Sequence, residues 1–333
     1  SLASAGILDA QAAAGQARWI EECNQRLRTL AAGYSGVHVV DYDALVARHG
    51  RERWHDERKW LTMRMPIAAE CLSALAEEWL RFLHPLTGRV AKVLVTDLDN
   101  TLWGGVVGED GLAGMQLGRD YPGAAYLAVQ RALLDLYRRG IVLAIASKNN
   151  EAEALEVFER HPAMLLGKRH FAAWQIHWNS KAESLERIAA ELNVGLDSLV
   201  FLDDNPAERE TVRRALPEVT VLELPADAMR YAAVVRACPL FERLAQSAED
   251  RARGDFYQQQ KERRPAQNGY SSLEEFYYSL EQKVEITRAS TPAALERVAQ
   301  LIGKTNQFNL TTRRHTPVEV AQYAAAADWD VYT

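Results

Sequence analysis

The chain has 333 residues, 48% of them hydrophobic, which is enough to bury a sizeable core and points to two domains or one domain with substantial extensions. A net charge of −6 excludes a global basic field for nucleic acid or anionic lipid, so any anionic substrate must be met by local cations. Three cysteines, Cys23, Cys71 and Cys238, lie far apart, which argues against a thiolate zinc site and a disulfide framework and favours a reducing, cytoplasmic setting.

No apolar run approaches membrane-spanning length, and the first residues lack the basic start and apolar core of a signal peptide. The chain begins without Met and ends in the strand-like run DWDVYT, so a segment of something longer is expected.

From about Ala12 to Leu86 the pattern is largely helical, interrupted by GVHVVDYDALV, which reads as a short strand and a helix start. Pro85 and the TGR that follows form a joint. A strand is expected at Val93 to Thr96, then a helix with apolar positions Tyr126, Val129, Leu133 and Tyr137, capped by Gly140. The alternation continues with a strand at Ile141 to Ala146, a helix near Ala152 to Arg160 and an extended run near Phe171 to Trp178. A helix from Lys181 to Leu192 follows, with Ser180 and Glu183 at capping-box spacing, then the strand SLVFL. Pro206 after Asn205 marks another helix start, and VTVLEL closes the series.

Continuously apolar strands separated by amphipathic helices predict an α/β fold, a Rossmann-like parallel sheet flanked by helices on both faces. The expected organisation is a helical N-terminal extension (1–88), a catalytic domain (89–226), a helical linker (227–272) and a smaller α+β C-terminal unit (273–333).

In such a sheet the chemistry gathers at the carboxyl ends of the strands. The first two ends carry Asp97 and Asp99, then Ser147 followed by Lys148 and Asn149; the helix after the third strand opens with Lys181, and the fourth ends at Asp203 and Asp204. Singly, each has an ordinary reading as a turn residue, a helix cap or a solvated lysine. Their joint order predicts a magnesium and phosphate site, because hard oxygen ligands hold Mg2+ while cations cancel phosphoryl charge.

Asp97 is the expected nucleophile, and Asp99, two residues on along an extended chain, the proton donor and acceptor. Ser147, Lys148, Asn149 and Lys181 are expected to bind phosphate. Asp203 is expected to hold the metal with the Asp97 side chain and the Asp99 carbonyl.

The phrases DLDNT, IASKN, NSK and FLDDN resemble the four motifs of the haloacid dehalogenase superfamily of phosphatases and phosphotransferases. More narrowly, TDLDNTLWGGVVGEDG, IASKNNEAEA, FLDDNPAERE and KTNQFNLTTRR resemble the FkbH-like family found beside or inside polyketide synthases, over a match running from about Lys92 to the end of the chain. The resemblance implies a capless, magnesium-dependent catalytic domain that loads a glyceryl unit from D-1,3-bisphosphoglycerate onto the phosphopantetheine thiol of an acyl carrier protein and removes the phosphate. The region after Leu273 resembles the start of an acyltransferase-like domain.

A thiol is needed for that transfer, supplied by the carrier, and Cys238, following the sheet and preceding a helix, is the candidate for a covalent intermediate, with a buried small hydrophobe as its other reading; Cys23 and Cys71 are expected in helical cores. Asn100, Trp103 and Asp204, beside the carboxylates, and Lys304, Asn306, Gln307, Arg313 and Arg314 are candidate contacts to substrate or carrier. RWHDERKW, with His55 and Asp56 among tryptophans, reads as a structural cluster or the remnant of a hydrolase-like region. Two other readings are a free-standing phosphatase of a small metabolite and a carrier-docking module without turnover.

Overall fold

The computed structural model describes residues 4–34, 36–244, 283–304, 313 and 315–333, and divides into two compact units, Ser1–Leu83 and His84–Thr333. Among the described residues no helix is long and apolar enough to cross a membrane.

In the first unit, helices α1 (Gln16–Ala31), α2 (Tyr42–His49), α3 (Arg51–Trp54) and α4 (Glu57–Met63) precede α5 (Leu72–Leu86), whose last residues enter the second unit. Residues 37–40 are irregular rather than a strand. Asp41 and Asp56 instead accept the backbone N–H groups of Ala44 and Lys59, capping α2 and α4. Trp54 is buried beside Leu45 and Cys71 and donates its indole N–H to the Tyr42 hydroxyl at 2.8 Å. RWHDERKW is therefore a capped and packed structural cluster. Cys23 is exposed on α1 rather than in a core, whereas Cys71 is buried.

The second unit contains a five-stranded, all-parallel sheet: β1 (Val93–Thr96), β2 (Val142–Ser147), β3 (Phe171–Ile176), β4 (Leu199–Leu202) and β5 (Thr220–Val221), in the order β3-β2-β1-β4-β5. Every residue of β1, β2 and β4 is buried, which is why their sequences are continuously apolar instead of alternating.

Leu94, Leu143, Ile145, Val200 and Leu202 face one core, built with α7 (Gly123–Arg138) and α8 (Glu151–Arg160). Val93, Val95, Val142, Ala144 and Phe201 face the other, built with α9 (Lys181–Leu192) and α10 (Pro206–Ala215). Burying each such Leu or Val contributes roughly 1.5–3 kcal/mol. The chain passes from β1 outward to β2 and β3 and then returns to place β4 on the other side of β1, so a crevice opens at the carboxyl ends of β1 and β4.

The stretch assigned to a linker from residue 227 begins inside this core. Helix α11 (Tyr231–Ala237) packs on α7, and Tyr231, Val235, Cys238 and Phe241 belong to the first core. Leu240 accepts the backbone N–H of Ala91 at 2.9 Å, and Arg139 donates to the Phe241 carbonyl at 2.8 Å. Four apolar residues at near-helical spacing inside a charged context carry this packing, and the surrounding charges hid it.

The C-terminal described residues form α12 (Pro292–Lys304) and α13 (Pro317–Ala325) around Ala289, Val298, Ala299 and Val320. Beside them Arg288 and Tyr332 form an antiparallel bridge.

After β1 the chain turns back through α6 (Val107–Gly114). Gly104 bonds both ways with Gln116 at 3.0 and 2.8 Å, and a Cβ on Gly104 would lie 2.5 Å from the Tyr126 ring and 2.8 Å from the Gln116 amide oxygen. Gly105 has φ +92°, in the left-handed region that favours glycine, whereas Gly108 is an ordinary helical residue. Gly104→Ala is expected to cost about 1–3 kcal/mol by overpacking, read as a lowered denaturation midpoint; an unshifted midpoint would show that Tyr126 yields freely.

Candidate active site

Asp97 continues β1 by one residue, its N–H donating to the Leu202 carbonyl at 2.8 Å, so β1 and β4 remain paired up to the first carboxylate. Asp203 follows β4 directly. One carboxylate oxygen from each of Asp97, Asp203 and Asp204 falls in a group within 4.8 Å of one another. Asp204, expected at this strand end and as a substrate or carrier contact, joins the carboxylate cluster itself.

Lys181, the first residue of α9, is 2% exposed and reaches back under this cluster. Its ammonium donates to Asp97 Oδ1 at 2.6 Å and to the Ala146 carbonyl at 2.7 Å, and lies 3.1 Å from Asp203 Oδ2. Burial opposes the charge on Lys181, but the carboxylates of Asp97 and Asp203 outweigh it and hold its pKa above the ordinary value. The ammonium is therefore fixed as a cation.

The carboxylates feel the opposite pressure. Burial, reinforced by the charge of Asp97 and only partly countered by Lys181, pushes Asp203 up to about 6. Burial and then Asp97 raise Asp204 as well. Asp203 Oδ2 is buried with the Lys181 ammonium 3.1 Å away. Three carboxylates with a single ammonium between two of them fit a hard divalent cation.

Asp99 has a separate environment. Its Oδ1 accepts the Trp103 indole N–H at 2.7 Å and the Val107 backbone N–H at 3.3 Å, and its Oδ2 accepts the Asn149 amide at 2.9 Å. Burial raises its pKa, opposed chiefly by the Trp103 hydrogen bond. Trp103 is fully buried, so the expected substrate contact is instead a support for Asp99.

The remaining expected phosphate ligands divide. Ser147 ends β2 as a buried residue. Asn149 is committed to Asp99, and Lys148 donates to Glu208 of α10 at 2.6 Å, so neither amide nor ammonium is held for phosphate as expected. Asn100, with φ 55°, closes the loop by accepting the Gly105 N–H at 2.9 Å.

For Cys238 the structure supports the buried reading. It is 5% exposed among apolar side chains, and burial pushes its thiol up, away from the reactive thiolate that a covalent intermediate requires. Arg313 is exposed; the Lys304 side chain and Asn306, Gln307 and Arg314 lie outside the described residues.

Two supporting residues gave no chemical signal in the sequence. Arg209, 4% exposed, donates to the carbonyls of Asp203 at 2.8 Å, Asp204 at 2.7 Å and Leu224 at 3.3 Å, clamping the loop that carries two of the three carboxylates. Thr101 joins the β1 and β4 loops, accepting the Asp204 N–H at 3.1 Å and donating to its carboxylate at 3.3 Å. A separate groove of about 470 Å³ in the N-terminal unit, lined by Ile20, Leu27, Val40 and Arg51 among others, carries none of the site residues.

No family model matches the chain, and no curated protein does. Among solved structures it is similar to the N-terminal part of the protein BF1531 from Bacteroides fragilis, which contains a phosphatase domain and is complexed with Mg. The two are 35% identical with a TM-score of 0.64, over 68% of this chain and 60% of that one. The second unit has a haloacid-dehalogenase-like fold. The chain spans 60% of the length of that relative.

A cation bound by these carboxylates requires Asp203 ionised, so its affinity falls as pH drops through the raised pKa near 6. Without a cation the sign is fixed: an acid raised on folding loses stability as pH rises from the unfolded value towards about 6. Magnesium is expected to raise the melting temperature more at pH 7.5 than at pH 5, its binding adding up to about 2.7 kcal/mol of stability at a hundredfold excess over its dissociation constant. Equal shifts at the two pH values, or none, would count against the carboxylate cluster as the binding site.

Proposed function

We propose that this chain is a magnesium-dependent phosphohydrolase that works through an aspartyl-phosphate on Asp97. The observation that carries the reading is the Lys181 ammonium locked between Asp97 and Asp203 at the carboxyl edge of the sheet. The similarity to a phosphatase domain complexed with Mg supports it. Asp97, Asp203 and Asp204 would hold the ion, which when bound supplies positive charge against the approaching phosphoryl group.

In the first step an Asp97 oxygen forms a bond to phosphorus while the bond from phosphorus to the substrate oxygen breaks, and that oxygen takes a proton from Asp99. In the second, Asp99 removes a proton from water as the water oxygen bonds to phosphorus and the aspartyl bond breaks, returning both residues to their starting state. Lys181 offsets charge on the nucleophile and on the phosphoryl oxygens throughout, in a site with little water to screen it.

We further propose D-1,3-bisphosphoglycerate as the substrate and the phosphopantetheine thiol of an acyl carrier protein as the acceptor. The long phrases around the carboxylates, such as TDLDNTLWGGVVGEDG and FLDDNPAERE, support this. The carrier thiol bonds to the acyl carbon, the acyl–oxygen bond breaks and phosphate leaves; the alkyl phosphate that remains needs the acid catalysis that Asp99 offers. With Cys238 buried, the thiol in this scheme is the carrier's own.

Incubating the chain with phosphopantetheinylated carrier, D-1,3-bisphosphoglycerate and magnesium is expected to add a glyceryl mass to the carrier by intact mass spectrometry. Phosphate release with unmodified carrier would leave a plain phosphatase, and neither product would overturn both proposals. Asp97→Asn is expected to lower phosphate release about a thousandfold or more, and undiminished release would sink the nucleophile assignment. Cys238→Ala is expected to cost about 1 kcal/mol of stability while phosphate release persists; its loss in a folded variant would restore the cysteine as a participant.

A further inference from the structure

We propose that Trp103 is a positioning residue that divides the work of the Asp99 carboxylate, saturating Oδ1 so that Oδ2 alone exchanges the catalytic proton. The inference rests on the phosphohydrolase reading and concerns the residue that makes its acid step possible.

A carboxylate offers about four lone-pair sites, two on each oxygen. Oδ1 receives two donors, the Trp103 indole at 2.7 Å and the Val107 N–H at 3.3 Å. Oδ2 receives one, the Asn149 amide at 2.9 Å, and keeps one site open. The Asn149 amide is itself oriented, because its oxygen accepts the Asn150 N–H at 2.9 Å and only its NH2 end can face Asp99. A proton on Oδ1 would confront two fixed N–H donors; a proton on Oδ2 has a free direction and can pass to a leaving oxygen.

The indole is held in place independently. It is fully buried, stands edge-on to Phe158 with ring centroids 5.7 Å apart, and follows Leu102, whose carbonyl accepts the buried Gln130 amide at 3.0 Å. Gln130 in turn accepts the N–H of Leu165 at 2.9 Å. The donor therefore stands still while the acid works, which is what a fixed proton direction requires.

Removing the indole N–H leaves Oδ1 with the longer Val107 contact alone and loosens the carboxyl, so the proton no longer points steadily at the leaving oxygen. An alkoxide leaves poorly without that proton, whereas p-nitrophenolate leaves without it. The discriminating quantity is kcat/KM, which reports only steps through phosphoryl transfer to Asp97 and so is blind to the later use of Asp99 as base.

The test compares glycerol 3-phosphate with p-nitrophenyl phosphate in the wild type, in Trp103→Phe and in a chain carrying 3-benzothienylalanine at position 103. The last keeps the bicyclic shape against Phe158 and loses only the donor, so it decides the matter if Trp103→Phe fails to fold. In both variants the loss of kcat/KM on the alkyl ester is expected to exceed the loss on the aryl ester by about tenfold or more. Equal losses on the two esters would overturn the proposal and leave Trp103 a packing residue. Undiminished turnover by Asp97→Asn in the same assay would instead overturn the phosphohydrolase reading.

Discussion

The buried ammonium of Lys181 is the constraint on which the rest of the site depends. Carboxylates from the ends of β1 and β4 are brought together where little water reaches them, and an isolated buried charge costs several kcal/mol. A cation placed between Asp97 and Asp203 makes that convergence tolerable. The arrangement is undercompensated, since one ammonium faces a cluster of three carboxylates. Such a site is poised for a further positive charge.

Holding like charges together requires a rigid frame, and the frame is built from backbone acceptors. Arg209 spends its guanidinium on the carbonyls of Asp203, Asp204 and Leu224 and stabilises the second loop in place. Thr101 ties that loop to the first. The planar fork of an arginine suits this role because it presents several donors in fixed directions from one buried residue. Asp99 is treated differently from its neighbour: three neutral donors hold it, and no ammonium touches it among the contacts described here. Two carboxylates two residues apart thus occupy environments suited to nucleophilic attack and to proton transfer.

Much of the frame was legible in the residues. Val93–Thr96 and Lys181–Leu192 were predicted to the residue, because a fully buried parallel strand reads as unbroken apolar sequence and a capped amphipathic helix announces its start at Ser180. The convergence of Asp97, Lys181 and Asp203 followed from their places at strand ends and at the start of the helix after β3. What could not be read was the pairing of side chains distant in sequence. Lys148 looks like a phosphate ligand until Glu208, 60 residues on, takes its ammonium. Trp103 looks like an exposed contact beside a catalytic motif until the core closes over it, and Cys238 looks accessible until α11 docks on α7.

Local sequence by itself determined the fold class, the order of the strands' chemical residues and the identity of the charged core, because periodicity and strand ends are properties of contiguous residues. Tertiary structure decided which groups are free to act. Asp204 became part of the carboxylate cluster, Asn149 and Trp103 became supports for Asp99, and Arg209 emerged as the clamp of a loop. A hydrogen-bonding group has few partners to give, and only the packed chain shows where each is spent.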